Sequence, residues 1–172
     1  MGGVFEMEKP DMARMALELL TQDNLEEARG IDRSDVPEKF VDTVDELMEL
    51  TRYGLEHRCA GHTYVVRCEG VCVGVILLGE AIPWDTDPEE MRGRPFYRLM
   101  GVLIDRRYRG QGVGAWALEE AVRRVYGEFG PRPIALGCHR NNGGGQRFWI
   151  SHGFSKTAAM EGEDFYYIRE LP

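Results

Sequence analysis

The sequence predicts a single α/β (α+β) domain spanning residues 1–172, with 1–14 as a flexible or peripheral N-terminus. Three observations carry the prediction. Helix-period segments come early, a run of β-branched segments broken by a turn signal follows, and strand-like and helix-like segments then alternate to the end. The chain length of 172 residues suits one domain with a sizeable core. Hydrophobic residues at 43% and charged residues at 29% are those of an ordinary soluble globular chain.

Taken in order, MALELLT (15–21) reads as a first strand, and QDNLEEARGI (22–31) as a short helix ending near Gly30. DVPEKFVDTVDELMELTRYGLEHR (35–58) reads as one longer helix. Pro37 suits its first position and Asp35 suits a cap. Phe40, Val41, Val44, Leu47, Met48, Thr51 and Leu55 would line one face. HTYVVRC (62–68) and VCVGVILLGEAI (71–82) are rich in β-branched residues and are separated by Glu69-Gly70, a hairpin signal. PWDTDPEEMRGRP (83–95) reads as a polar loop and FYRLMGVLID (96–105) as a third strand. A glycine-rich stretch follows, then a helix whose buried face is Val113, Ala117, Leu118, Ala121, Val122 and Val125. RPIALGCH (132–139) is a further strand, NNGGGQRFWISHGF (141–154) the next segment, and FYYIREL (165–171) the closing strand.

Charge and composition exclude several classes. Twenty-one basic against 29 acidic residues give a net charge of -8, which disfavours nucleic acid as a partner. No apolar run approaches the roughly 20 residues that span a bilayer, so no membrane partner is expected. MGGVFEMEKPDM lacks the apolar core of a signal peptide. Cys59, Cys68, Cys72 and Cys138 form no CxxC pair, so they read as reduced thiols of a cytoplasmic protein and not as a metal site.

The glycine stretch carries the chemistry. Gly110, Gly112 and Gly114 crowd the start of a helix that has no acid until Glu119, with arginines at 106, 107 and 109 just upstream. A helix N-terminus carries partial positive charge and favours Asp or Glu in its first turn, so this one is suited to receive an anion. A nucleotide P-loop requires Lys-Ser/Thr after the last glycine, and Ala115-Trp116 stand there. A dinucleotide fingerprint can be read on Gly110, Gly112 and Ala115, but it belongs in a first β-α-β unit with an acid ending the next strand, where Cys138 and His139 stand. A glycine-rich turn without a ligand leaves the arginines and the missing acid unexplained.

Arg109-x-x-Gly112-x-Gly114, set between an apolar strand and an amphipathic helix, resembles the acyl-CoA loop of the GNAT N-acetyltransferase superfamily. The order of elements over 15–171 and the interval from Asn142 to Gly153-Phe154 are similar to that family's. FYRLMGVLIDRRYRGQGVG is especially similar to its diamine or polyamine acetyltransferase branch. The resemblance implies a mixed, mostly antiparallel twisted sheet flanked by helices, with a splayed central strand pair. It implies acetyl-CoA as cosubstrate, no metal, and direct attack by a small-molecule primary amine. A homodimer is left open. Two alternatives are a CoA-binding GNAT-fold module with little catalysis and an acetyltransferase of protein N-termini or lysines.

The resemblance also implies site residues. Val102, Leu103 and Ile104 on the strand before the loop, and Arg109, Gly110, Gln111, Gly112, Val113, Gly114 and Ala115 in it, would hold the cofactor. Asn142 would bond the pantetheine arm. Some relatives hold a glutamate base where Arg98 stands, so Glu80 at the end of the preceding strand is the candidate base, with Tyr97, Tyr166 or Tyr167 beside it. The usual general-acid Tyr is replaced by Trp149, whose indole donates a hydrogen bond but no proton, and whose ring would pack along the pantetheine. Gly143-Gly144-Gly145 stands where relatives begin a helix; each interior Gly costs up to about 1 kcal/mol, so that helix is expected to start late or to be mobile. The acids Asp85, Asp87, Glu89 and Glu90 of the 83–95 loop would draw in a polyamine.

Overall fold

Among the described residues, seven strands build one sheet in the order β1-β2-β3-β4-β5-β7-β6. In chain order these are β1 (Met15–Leu19), β2 (Gly61–Cys68), β3 (Val71–Glu80), β4 (Tyr97–Ile104), β5 (Ile134–His139), β6 (Ser155–Glu161) and β7 (Asp164–Arg169). The α-helices of the described residues are α1 (Leu25–Arg29), α2 (Val44–Glu56), α3 (Val113–Phe129) and α4 (Gly143–Ser151). The computed structural model describes residues 9–172, so the first eight residues of the expected peripheral N-terminus lie outside the described residues. Every neighbouring strand pair is antiparallel except β4 with β5. This is the mixed, mostly antiparallel sheet expected.

Strand alternation sorts the core onto two faces. Val66, Ile76, Leu78, Leu99, Ile134, Leu136 and Tyr167 pack with the buried stripe of α3, which is Val113, Ala117, Leu118, Ala121, Val122 and Val125 as expected. Each of the larger apolar side chains so buried contributes roughly 1.5–3 kcal/mol. Their neighbours Val65, Val75 and Leu103 point the other way, against Leu25 and Ala28 of α1 and Val44, Leu47 and Met48 of α2. Ala135, Tyr166 and Ile168 continue that second face under the segment between β3 and β4.

The β2–β3 hairpin turns on Glu69 (φ 51°) and Gly70 (φ 82°). Two left-handed residues make the tight turn whose twist matches the strands. Elsewhere the sequence expectation is corrected. The helix expected over 35–58 begins only at Val44. Thr43 is extended and caps it, accepting from the Glu46 amide while the Glu46 carboxylate accepts from the Thr43 amide. Asp35 and Pro37 therefore start no α-helix; a 3-10 turn at Glu38–Phe40 follows, and Phe40 and Val41 leave the helical face. Leu55 is 70% exposed, past the end of the buried stripe. A strand was also missed: β6 is an edge strand of small and polar residues, SKTAAME, with little strand propensity of its own.

Asp105, 1% exposed, ties the end of β4 to the segment after α1. It accepts from the Asp32 amide at 2.9 Å and from the Arg107 amide and guanidinium at 2.9 and 3.0 Å. Burial pushes its pKa up, but these bonds outweigh it and leave the carboxyl at about 2. A folded-state pKa below the unfolded value stabilises the protein above about pH 4, and the contribution is lost as pH falls toward 2. Asp105→Asn is expected to cost about 2 kcal/mol in urea unfolding at pH 7 and markedly less at pH 3. A cost that stays constant between those pH values would show that the carboxylate's charge is not what holds the loop.

Candidate functional site

The site begins with a break in the sheet. β4 and β5 pair only at Tyr97–Ile134 and Arg98–Ala135, and beyond that point no ladder joins them. On its other edge β4 carries a bulge against β3, where the register skips between Val75 and Leu77. Gly101 sits at that bulge with φ 59°, and a Cβ there would meet Leu47 Cδ1 at 3.0 Å, so both backbone and space call for glycine. Met100, Gly101 and Val102 consequently line the gap, and Leu103 and Ile104 follow them along it.

The gap leads to the glycine loop. Gly112 caps α3 at φ 85°, with no side-chain cap and no acid in the first turn. The first helical hydrogen bond runs from the Trp116 amide to the Gly112 carbonyl at 3.0 Å. The amides of Val113, Gly114 and Ala115 therefore have no helical acceptor, and the space beside Gly110 and Gly112 is open. The upstream arginines are less free than their sequence suggests. Arg106 pairs with Asp32, Arg107 with Asp105, and Arg109 with Asp35 at 2.6 Å. Arg109 also donates through Nε to the Ile104 carbonyl, while its Nη2 is buried without a partner among the described residues. Gln111 Oε1 is likewise buried and unpartnered. Val113 is core, so only its backbone is available to a ligand.

A cavity of about 1040 Å³ joins gap and loop, and α4 forms another wall. That helix does not start late. Asn142 caps it from Oδ1 to the Gly145 amide at 3.0 Å, and a Cβ on Gly145 would stand 2.5 Å from Asn142 Nδ2. The cap thus offsets part of the cost of the glycines, and one of them makes room for it. Trp149 is half-buried at the cavity, edge-on to Phe148 and Phe154 at 4.8 and 5.5 Å. Phe148, whose ring lies beside Gly114, and His152, whose ring is 4.2 Å from Phe148, also line the cavity and were not anticipated. Their helical spacing was the available signal.

The expected acceptor-side residues are corrected. Glu80 does not line the cavity: its register partner is Tyr97, at the closed end of the β4–β5 pair, and its carboxylate is held by Arg132 at 3.2 Å. Tyr97 and Tyr166 are spent as core hydroxyls, donating to the Gly130 carbonyl and to Asp87, and Tyr167 is core as well. The 83–95 segment gives the cavity only Trp84. Asp87 is not a solvated acid but is 5% exposed and ion-paired to Arg98 at 2.9 Å. The acids that do line the cavity come from elsewhere: Asp35, Glu38 and Glu46 are exposed, and three more are half-buried. Asp42 precedes α2, Glu161 ends β6 and Asp164 begins β7. Burial pushes all three carboxyls above the usual range. By alternation from Tyr166, Asp164 lies on the sheet face opposite α3. The cavity therefore runs through the sheet, with the glycine loop and α4 on one side and these acids on the other.

Comparison with known proteins agrees with this geometry. Among solved structures, the PaiA N-acetyltransferase of Thermoplasma acidophilum in complex with coenzyme A aligns over 91% of this chain and 99% of its own, at 16% identity and a TM-score of 0.66. Ard1 of Thermoplasma volcanium aligns over 92% and 99%, at 17% identity and a TM-score of 0.67. The NatC complex bound to Gag peptide and CoA aligns over 92% and 99%, at 16% identity and a TM-score of 0.64. Identities this low establish the shared fold. No curated protein matches the sequence. Residues 23–154, most of the chain, match the acetyltransferase (GNAT) family. The chain belongs to the GNAT family and is an acetyltransferase.

Proposed function

We propose that this acetyltransferase moves the acetyl group of acetyl-CoA to the primary amine of a small molecule, with diamines and polyamines the class suggested by the branch resemblance. The observation that carries the reading is the single cavity that reaches from a glycine-capped helix N-terminus through the β4–β5 gap to the opposite face of the sheet. Acetyl-CoA, when bound, supplies an activated thioester whose thiol can leave without full protonation, a thiol pKa being about 8.5. The chain's own groups fit it. The free amides of Val113, Gly114 and Ala115, the open sides of Gly110 and Gly112, and the unpartnered Arg109 Nη2 suit a pyrophosphate. Gln111 shapes that loop by donating from its side chain to the Arg107 carbonyl. The stretch Val102, Leu103 and Ile104 lines the cavity and suits an amide-bearing arm, with Asn142 and Trp149 on the other wall. A backbone amide at the bulge would stabilise developing negative charge beside it.

Two measurements test the reading. Acetyl-CoA at about 100 times its dissociation constant is expected to add about 2.7 kcal/mol of stability, a shift of about 5–10 °C for a chain of this size, and NAD none. Thiol release from acetyl-CoA across a panel of amines is expected to select small amines over a protein N-terminus. A shift with NAD and none with CoA would overturn the cofactor. Release that depends on a peptide acceptor would move the acceptor to the class of the NatC neighbour.

A further inference from the structure

Six acids line the cavity; Asp35, Glu38 and Glu46 are exposed, and Asp42, Glu161 and Asp164 are half-buried. None of Asp42, Glu161 and Asp164 has an ion-pair partner among the described residues, whereas Asp35 pairs with Arg109 and Asp87 with Arg98. Half-buried carboxylates of this kind are costly unless paired, and they persist where a function uses them. Arg33 bears on Asp42 without pairing with it, its Nη groups donating to the Asp42 and Val41 carbonyls. Arg98, the cation that bears on Glu161, does not pair with it either. Its two Nη groups are taken by Asp87 and by the Ile82 carbonyl at 2.9 Å. Its Nε, in a residue 4% exposed that lines the same cavity, has no acceptor among the described residues. This end of the cavity therefore presents two unmet demands, for a cation and for an oxygen or nitrogen acceptor.

The position of Asp164 is built. It stands over Gly137 of β5, on the strand that has parted from β4, and Gly137 itself lines the cavity. A Cβ at Gly137 would come 3.1 Å from Asp164 Oδ2 and 3.4 Å from its Cβ. The absence of a side chain at Gly137 is what lets this carboxylate lie against the opening between the strands. Glu161 and Asp42 approach from β6 and from the segment before α2.

We propose that Asp42, Glu161 and Asp164 form the acceptor's ammonium site, and that Asp164 removes the ammonium proton. The proposal rests on the acetyl-transfer reading and names the base it lacked. In the step, one N–H bond of the ammonium breaks, its electron pair stays on nitrogen, and an O–H bond forms on Asp164, which later returns the proton to water. An alkyl ammonium has a pKa of about 10, so a free amine is scarce at neutral pH without such a group. The surroundings favour it. The charged groups that bear on Asp164 are His139 from β5, Glu163 from the adjoining turn, Glu161 from β6 and Asp42 from the segment before α2. Burial and the neighbouring acids raise Asp164, and His139 opposes them. Carboxyls raised in the folded state cost stability when ionised, so Asp164→Asn and Glu161→Gln should be at least as stable as the parent at pH 7.

The test uses the full chain saturated with CoA, with spermidine and alaninamide as probes, the second carrying a carbonyl beside its ammonium. At least one probe is expected to bind by titration calorimetry, and Asp164→Asn with Glu161→Gln to weaken it at least tenfold, while the CoA thermal shift is kept. On binding, the carboxyl ¹³C titration of Asp164 should move to lower pH, because an ammonium favours its charged form. With acetyl-CoA, Asp164→Asn should lower kcat/KM at pH 7 by about a hundredfold, and the deficit should shrink toward pH 10 as solvent supplies free amine. Absence of binding by either probe, equal binding by the variants, or a deficit that is the same at every pH would overturn the proposal. Loss of the CoA shift in the parent is a separate failure, that of the cofactor reading.

Discussion

Gly112→Asp is expected to abolish the stabilisation that coenzyme A gives, while leaving the free protein folded. The residue stands at φ 85° with nothing within 4 Å of where a Cβ would be. Aspartate tolerates left-handed backbone better than most residues, so the strain is about 1 kcal/mol or less. Its charge also suits the positive end of α3, whose first turn has no acid of its own. The same charge is placed where a pyrophosphate would lie, and two anions cannot share that helix end. The CoA-induced shift of about 5–10 °C should therefore fall below about 1 °C. Gly112→Ala carries similar backbone strain without the charge and should keep part of the shift. If Gly112→Asp retains the full shift, the pyrophosphate is not held at this helix.

The helix that Gly112 caps was legible because its evidence is local. Apolar residues recur at helical spacing, glycines precede them, and the acid expected in a first turn is missing. The Glu69-Gly70 hairpin was legible for the same reason, since two residues that accept positive φ fix the turn. The start of α2 was misplaced because Pro37 and Asp35 are a plausible helix opening, while the capping box that decides the matter, Thr43 with Glu46, lies inside the same apolar periodicity. β6 was missed because an edge strand borrows its order from β7 and needs little propensity of its own.

The two ends of the site differ in the same way. Its glycine-loop end is contiguous in the chain, and its suitability for an anion could be read from spacing. Its acidic end is assembled from the segment before α2, from β5 and from the β6–β7 hairpin, and nothing in the sequence joins Asp42 to Asp164. Glu161 and Asp164 flank Gly162 and so look like the acids of a surface turn. Asp87 looked like one acid among four in a polar loop. Only the fold brings Arg98 beneath it, eleven residues on, and converts a solvated charge into a buried one.

That buried pair sets the largest expected loss of stability. Asp87 accepts from Arg98 through both oxygens at 2.9 and 3.2 Å, from the Tyr166 hydroxyl at 3.0 Å and from the Trp84 amide at 2.9 Å. Burial raises its pKa, but these donors outweigh burial and hold it below the usual carboxylate range. Trp84 in turn lies over the Arg98 guanidinium at 3.6 Å, so one network fixes the segment between β3 and β4 against the sheet and sets a wall of the cavity. Removing one partner of such a pair strands the other charge in the interior, at a cost of about 3–5 kcal/mol. Arg98→Met is expected to lower the melting temperature by about 6–20 °C. The loss should fade as pH falls from the higher pKa that Asp87 has without Arg98 toward its depressed value in the parent, because the stranded carboxylate of the variant then takes up a proton. Asp87→Asn should be similarly costly, and the double variant Arg98→Met/Asp87→Asn should be less destabilised than the sum of the two, since it leaves no charge unpaired. Additive losses would mean that the two side chains act independently.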